Sequence, residues 1–140
     1  MSLIWSMIVR FSSAGTTNYI CLVGAEVSGE GGVYFEMRPY HDAINKLYAS
    51  GNYKAVTESP ASTGVMAVAG TSGYLDGVED VSGIPAKAGT FPTFYMGAVH
   101  HDGGAERLWN GNIQAVAIYS GTLTAKQVSL ITHRMNALTG

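Results

Sequence analysis

Short apolar runs of about five to nine residues recur along the chain, each bounded by Gly, Ser, Asn or Asp, and that spacing predicts an all-β sandwich. The runs place strands at residues 3–11, 18–24, 32–38, 44–49, 53–58, 65–71, 73–75, 78–82, 93–99 and 112–119. In the third run Val33, Phe35 and Met37 alternate with Tyr34, Glu36 and Arg38, the period of two of a strand with one face on a core. Asp76-Gly77, between Leu75 and Val78, is a two-residue turn that needs positive φ, and Gly51-Asn52 serves the same purpose between Tyr48 and Tyr53. The period changes once, over Ala125–Ala137. There Thr124 and Gln127 form a Thr-x-x-Gln capping box, Leu123 and Val128 make a hydrophobic staple, and Val128, Ile131, Met135 and Leu138 line one stripe of a helix. Repeats, charge runs and long linkers are absent from the sequence. Residues 1–140 read as one domain, large enough to bury roughly two thirds of the surface of the unfolded chain.

The closing third carries a resemblance. Tyr95-Met-Gly-Ala98 runs through a Gly-rich loop into Trp109-Asn-Gly-Asn-Ile-Gln-Ala-Val-Ala-Ile-Tyr119, and the helix that begins after Thr122-Leu-Thr124 follows. This order of strand, long loop, strand and helix resembles the C-terminal end of laminin G-like domains of the concanavalin A-like lectin/glucanase superfamily. Ala67-Val-Ala-Gly-Thr-Ser-Gly-Tyr-Leu-Asp-Gly77 is similar to a strand pair of the same family, here shortened, and Met7-Ile-Val-Arg-Phe11 is similar to one of its earlier strands. The likeness covers roughly residues 65–138. It implies a two-sheet antiparallel jelly-roll sandwich with one short C-terminal helix closing an end or edge of the sheets. Family members usually have a further strand ahead of Met7, and this chain is short for the fold. A missing strand leaves an open edge, either trimmed or completed by a neighbouring subunit.

Composition narrows the function. Charged residues are 13 % of the chain, about half the usual share of roughly 25 %, so the surface is largely neutral and rich in hydroxyls. A net charge of -2 without a Lys/Arg cluster removes the electrostatic term that supplies most nucleic-acid affinity, and nucleic acid is not an expected partner. Cys21 is the single cysteine, which leaves no intrachain disulfide and no Cys-based metal site; within the apolar run from Tyr19 to Val23 it reads as a small buried hydrophobe. The opening ten residues are apolar but lack a basic region, and Arg10 interrupts them too early for a signal peptide or a membrane span. The expectation is a first strand, no membrane insertion, and a place on a virion surface or outside the cell reached without a signal in this chain, by lysis release or as part of a parent polypeptide.

Candidate chemistry is sparse. A retaining glycosidase of this superfold needs carboxyl groups about 5 Å apart, which its relatives supply from a Glu-x-Asp-x-Glu strand. No such strand occurs: Glu26 and Glu30 lie four apart across Gly29, and Asp76, Glu79 and Asp80 straddle a turn. His100-His101-Asp102 opens a loop, with His41-Asp42 in another and His133 on the helix, but adjacent residues on an extended chain point to opposite sides and cannot easily share an ion. No cofactor is expected; beside zinc or nickel on those histidines, calcium is the other ion weighed, with hard oxygens from Asp42, Asp80 or Asp102 and loop carbonyls. A Gly-x-Ser-x-Gly elbow is absent, and Gly29-Glu-Gly-Gly32 and Gly103-Gly104 read as turns rather than phosphate loops.

Sugar binding needs exposed aromatic faces and planar polar side chains. Trp109 and Asn110, flanked by His101, Asp102 and Arg107, supply both in one loop, and Tyr40 with His41 supplies a second set. The family pattern places a large hydrophobe just before the Asn110-Gly111 turn, so packing is the favoured reading of Trp109. The sequence then points first to a non-enzymatic structural or attachment module, such as a decoration or fibre-type protein of a virion or another assembly, with other subunits as partners. The alternative is a lectin-like module with a glycan ligand. A glycoside hydrolase, the third reading, lacks its carboxylates.

Overall fold

The computed structural model describes residues 5–13, 23–26, 34–41, 44–49, 52–55, 63–83, 95–101, 104–106 and 108–138. Its strands are β1 (Trp5–Ser13), β2 (Val23–Glu26), β3 (Tyr34–His41), β4 (Ile44–Ala49), β5 (Asn52–Ala55), β6 (Thr63–Ala69), β7 (Ser72–Leu75), β8 (Val78–Val81), β9 (Tyr95–Met96), β10 (Val99–His101), β11 (Gly104–Glu106) and β12 (Gly111–Ser120), followed by the helix α1 (Ala125–Ala137). One five-stranded sheet has the order β12-β1-β6-β7-β8 and a second has β5-β4-β3-β2-β9, while β10 and β11 form a separate hairpin. All pairings among the described residues are antiparallel. The chain is a two-sheet antiparallel β-sandwich with one C-terminal helix, as the apolar pattern predicts.

Alternation along β1 builds two cores from one strand. Met7, Val9 and Phe11 face inward and join Met66 and Val68 of β6 with Val23 and Met37 of the opposite sheet. Ile8 points the other way and joins Val65, Ala67, Ala69 and Tyr74 under Val128 and Met135 of α1. Because the sandwich covers one face of β1 and β6 and the helix covers the other, both strands are buried on both sides. That double burial explains why they read as continuous apolar runs rather than as clean alternation. The helix was expected at an end or edge of the sheets; instead it packs over the outer face, touching β1, β6 and β8.

The helix start agrees with the sequence. Thr124 Oγ1 accepts from the Gln127 backbone N–H at 3.2 Å, and Gln127 Oε1 accepts from the Thr124 N–H at 2.8 Å. Leu123 and Val128 meet in the outer core. The stripe is shifted, however: Val128, Thr132 and Met135 are the buried positions, Ile131 is partly buried, and Leu138 is exposed. Ser6, fully buried, fastens the approach to the helix by donating to the Gly121 carbonyl at 2.8 Å and accepting from the Leu123 N–H at 3.0 Å.

The Asp76-Gly77 turn forms as expected, with φ of 50° and 84°. Asp76 adds a second function, since its Oδ1 accepts from the Val65 N–H at 2.9 Å and its own N–H donates to the Val65 carbonyl at 2.8 Å. A turn the sequence reading missed joins β6 to β7 at Gly70-Thr71, where Gly70 takes a φ of 59°. The strand expected to run to Thr71 therefore ends at Ala69. The β4–β5 hairpin exists, but Ala49 pairs with Asn52, so Asn52 belongs to the strand and not to the turn. Cys21, Glu30, Asp42 and the Gly-rich stretch at 29–32 lie outside the described residues, as do residues 3–4, 18–22, 32–33, 56–58 and 93–94 of the expected strands.

Tyr74 gives the outer core a pH dependence. It is 4 % exposed, and burial, followed by the nearby Glu79 carboxylate, pushes its hydroxyl above the ordinary tyrosine pKa, partly offset by a hydrogen bond with Ser72. The folded state therefore favours the neutral phenol. Its stabilising contribution is complete below about pH 10, the unfolded value, and is lost as pH rises through the higher folded value. In alkaline denaturation curves Tyr74→Phe is expected to show a shallower loss of stability above that pH than the wild type; identical slopes would assign the alkaline transition to other groups.

Candidate functional site

The two residue sets singled out for sugar binding, some sixty residues apart in sequence, are carried by strands that both lie against β2: Tyr40 and His41 by β3, His101 by β10. Strand β2 supplies the reference row: Val23 pairs with Met37 of β3 on one side and with Met96 of β9 on the other. Both neighbours run antiparallel to β2, so they run parallel to each other in direction and leave that row toward the same end. On one flank β3 continues from Met37 to Tyr40 and His41. On the other, the chain bends at Gly97, with a φ of 74°, and β10, which carries His100 and His101, lies back against β2.

Each flank has a local reason for its shape. In β3 the register with β4 shifts between Arg38 and His41. Pro39 has no N–H to give the ladder, so a bulge is favoured there, and Tyr40 sits inside it. On the other flank the expected open loop after Val99 is a short hairpin: His100 pairs with Ala105 and His101 with Gly104. Asp102 and Gly103 stand between the paired ends, and Asp-Gly is the dipeptide that marks the Asp76 turn, so the signal was present in the sequence. Asp102 and Arg107 lie outside the described residues.

Trp109 ties the bend at Gly97 to the core. Its backbone N–H donates to the Gly97 carbonyl at 2.7 Å. Gly97 has a φ of 74°, and a Cβ there would stand 3.6 Å from the Trp109 Cβ. The indole is partly buried against the inner core and meets Phe11 edge to face, with centroids 5.6 Å apart and planes at 89°. Its Nε1–H is buried and has no hydrogen-bond partner among the described residues. The ring is thus held by the sandwich, while the next residue, Asn110, and the preceding one, Leu108, are exposed. Among the described residues no three His, Cys, Asp or Glu side chains are grouped to hold a metal ion, and no helix is long and apolar enough to cross a membrane.

Around β2 the backbone therefore brings together strands that carry Tyr40, His41 and His101, while Trp109 is held in the core beside exposed Asn110. The sequence matches no family model and no curated protein. Solved structures do share its architecture. Domain 4 of AbnA, a GH43 extracellular arabinanase from Geobacillus stearothermophilus in complex with arabinotriose, is similar over 94 % of this chain and 67 % of that one, with a TM-score of 0.70 and 19 % identity. A protein from Bacteroides ovatus described as carbohydrate-binding is similar over 91 % of this chain and 40 % of its own, with a TM-score of 0.67 and 15 % identity. The NanB sialidase of Streptococcus pneumoniae is similar over 93 % of this chain and 24 % of its own, with a TM-score of 0.62 and 16 % identity. The chain spans less than half the length of the last two. At such identities the likeness establishes a shared β-sandwich fold.

Proposed function

We propose that this chain is a carbohydrate-binding module with a lectin-like jelly roll, working outside the cell without catalytic activity of its own. The observation that carries the reading is the whole-chain likeness to an arabinanase domain bound to arabinotriose. The arabinanase, the Bacteroides protein and the sialidase are each named for carbohydrate binding or cleavage, which favours the lectin-like alternative over the virion-surface reading. Absence from the sequence of a Glu-x-Asp-x-Glu strand supports binding without hydrolysis. Fold alone does not fix function, so the proposal rests also on the residues carried by the strands beside β2 and by the segment at Trp109. There Tyr40, His41, His101 and Asn110, with Asp102 and Arg107, are the candidate glycan contacts, and Trp109 serves as the buttress that positions Asn110.

A glycan array followed by calorimetry with arabinotriose and sialylated oligosaccharides tests this. Saturable binding to at least one class is expected. A paired Tyr40→Ala, His41→Ala variant should weaken it at least about tenfold, ~1.4 kcal/mol, with an unchanged melting temperature. A blank array, or affinity indifferent to Tyr40, His41, His101 and Asn110, would reject the reading, and release of sugar by the purified chain would refute its non-catalytic part.

A further inference from the structure

Most sheet edges among the described residues are blunted. Strand β8 has four residues and carries Glu79 and Asp80, β5 has four and carries Lys54, and β9 has two. Strand β12 is different. It has ten residues, contains no charge and no proline, and among the described residues is paired on one side only, with β1. Long, uncharged edges are what soluble proteins avoid unless something covers them.

The side chains around this edge point the same way. The register with β1 shifts between Arg10 and Phe11, so Gln114 is the extra residue of a bulge and the strand is regular from Ala115 onward. Val116 and Ile118 then lie opposite Val9 and Met7, on the sandwich-facing side, yet they are 39 % and 58 % exposed while Val9 and Met7 are fully buried. On the other face, Tyr119, Leu123, Leu130 and Ile131, with Gln127 and Arg134, line a groove of about 320 Å³ between β12 and α1. Apolar surface therefore flanks both sides of one open backbone edge.

We infer that β12 pairs with β12 of a second copy of this chain, antiparallel about a two-fold axis through Ala117, joining the two five-stranded sheets into one. The occupant is argued from complementarity of charge and shape. In this register Val116 meets Ile118 of the other copy, twice by symmetry, and Tyr119 meets Ala115, large against small. Residues 111–120 carry no formal charge, so pairing this strand with its own copy desolvates none and sets no like charges against each other. The inference is independent of the glycan-binding proposal.

Sedimentation velocity across micromolar to near-millimolar concentrations is expected to show a monomer–dimer equilibrium, and Ile118→Lys, at a position already more than half exposed, should leave a folded monomer with an unchanged melting profile. Register is read by disulfide trapping in a Cys21→Ser background. Val116→Cys and Ile118→Cys chains should cross-link readily when mixed, because the positions are directly opposite, but poorly when each is alone, because like positions are diagonal. A wild-type monomer at every concentration, a dimer that survives Ile118→Lys, or cross-linking without the 116–118 preference would overturn the proposal.

Discussion

Phe11→Ala is expected to lower stability by about 3–5 kcal/mol, the usual range for deleting a fully buried aromatic ring, and to drop the melting temperature by roughly 15 °C for a domain of this size. Phe11 is fully buried and sits where three parts of the fold meet: the inner face of β1, the start of β12 through its pairing with Ile113, and the edge of the Trp109 ring. Removing it leaves a cavity that neither sheet can close, because Gly64, its partner on β6, has no side chain to move in. The Trp109 emission should shift to the red as water reaches the indole. Trp109→Ala should cost a similar amount. In the double variant the edge-to-face pair should appear as a coupling of about 0.5–1.5 kcal/mol. Trp109→Phe, by contrast, is expected to be mild, since it retains the plug and removes a buried N–H that has no partner among the described residues. A small loss for both Phe11→Ala and Trp109→Ala, measured by urea denaturation, would mean that the indole is not a structural plug and would return it to the list of sugar platforms.

What the sequence reveals of this fold follows the range of the interactions involved. The Asp76-Gly77 turn and the Thr124–Gln127 cap depend on residues at most three apart, and both appear where local chemistry predicts them. Helix boundaries follow for the same reason. Gly70-Thr71 escaped because the apolar run of β6 continues without a polar break into Gly70, and the β10–β11 hairpin escaped because three-residue strands leave too little pattern beside their Asp-Gly signal. The position of α1 was not legible at all: burial of both faces of β1 and β6 erases the alternation that would have shown which side a helix covers. The same holds for the candidate site. Tyr40 with His41 and Trp109 with its neighbours read as two separate loop sets, and only the pairing of β3 and β9 with β2 shows that their strands flank a common one.

Arg10 is the residue whose reading changes most between sequence and structure, and Arg10→Ala is expected to cost about 3 kcal/mol, from the loss of hydrogen bonds donated by a charged group. In sequence it merely interrupts an apolar run. In the fold it lies on the outer face of β1, 9 % exposed, and its guanidinium spans two elements. Nη1 donates to the Met135 carbonyl at 3.1 Å and to Asn136 Oδ1 at 2.6 Å, while Nε donates to Gln114 Oε1 at 3.1 Å. The bulge at Gln114 is what turns that amide toward Arg10. A cation against the last turn of α1 also meets the negative end of the helix dipole, so one side chain holds the C-terminal turn of the helix onto the sheet. Arg10→Lys should recover little, because a point charge with a compact donor set cannot span acceptors on two elements as the planar fork does. Since the acceptors are neutral and the site is buried, the loss should be nearly independent of salt, unlike that of an exposed ion pair. Hydrogen exchange locates the effect: amides in the last turn of α1 should exchange faster in Arg10→Ala while those of β1 and β6 change only with global stability. Uniform acceleration, or full retention of stability by Arg10→Lys, would show that the guanidinium does not fasten the helix.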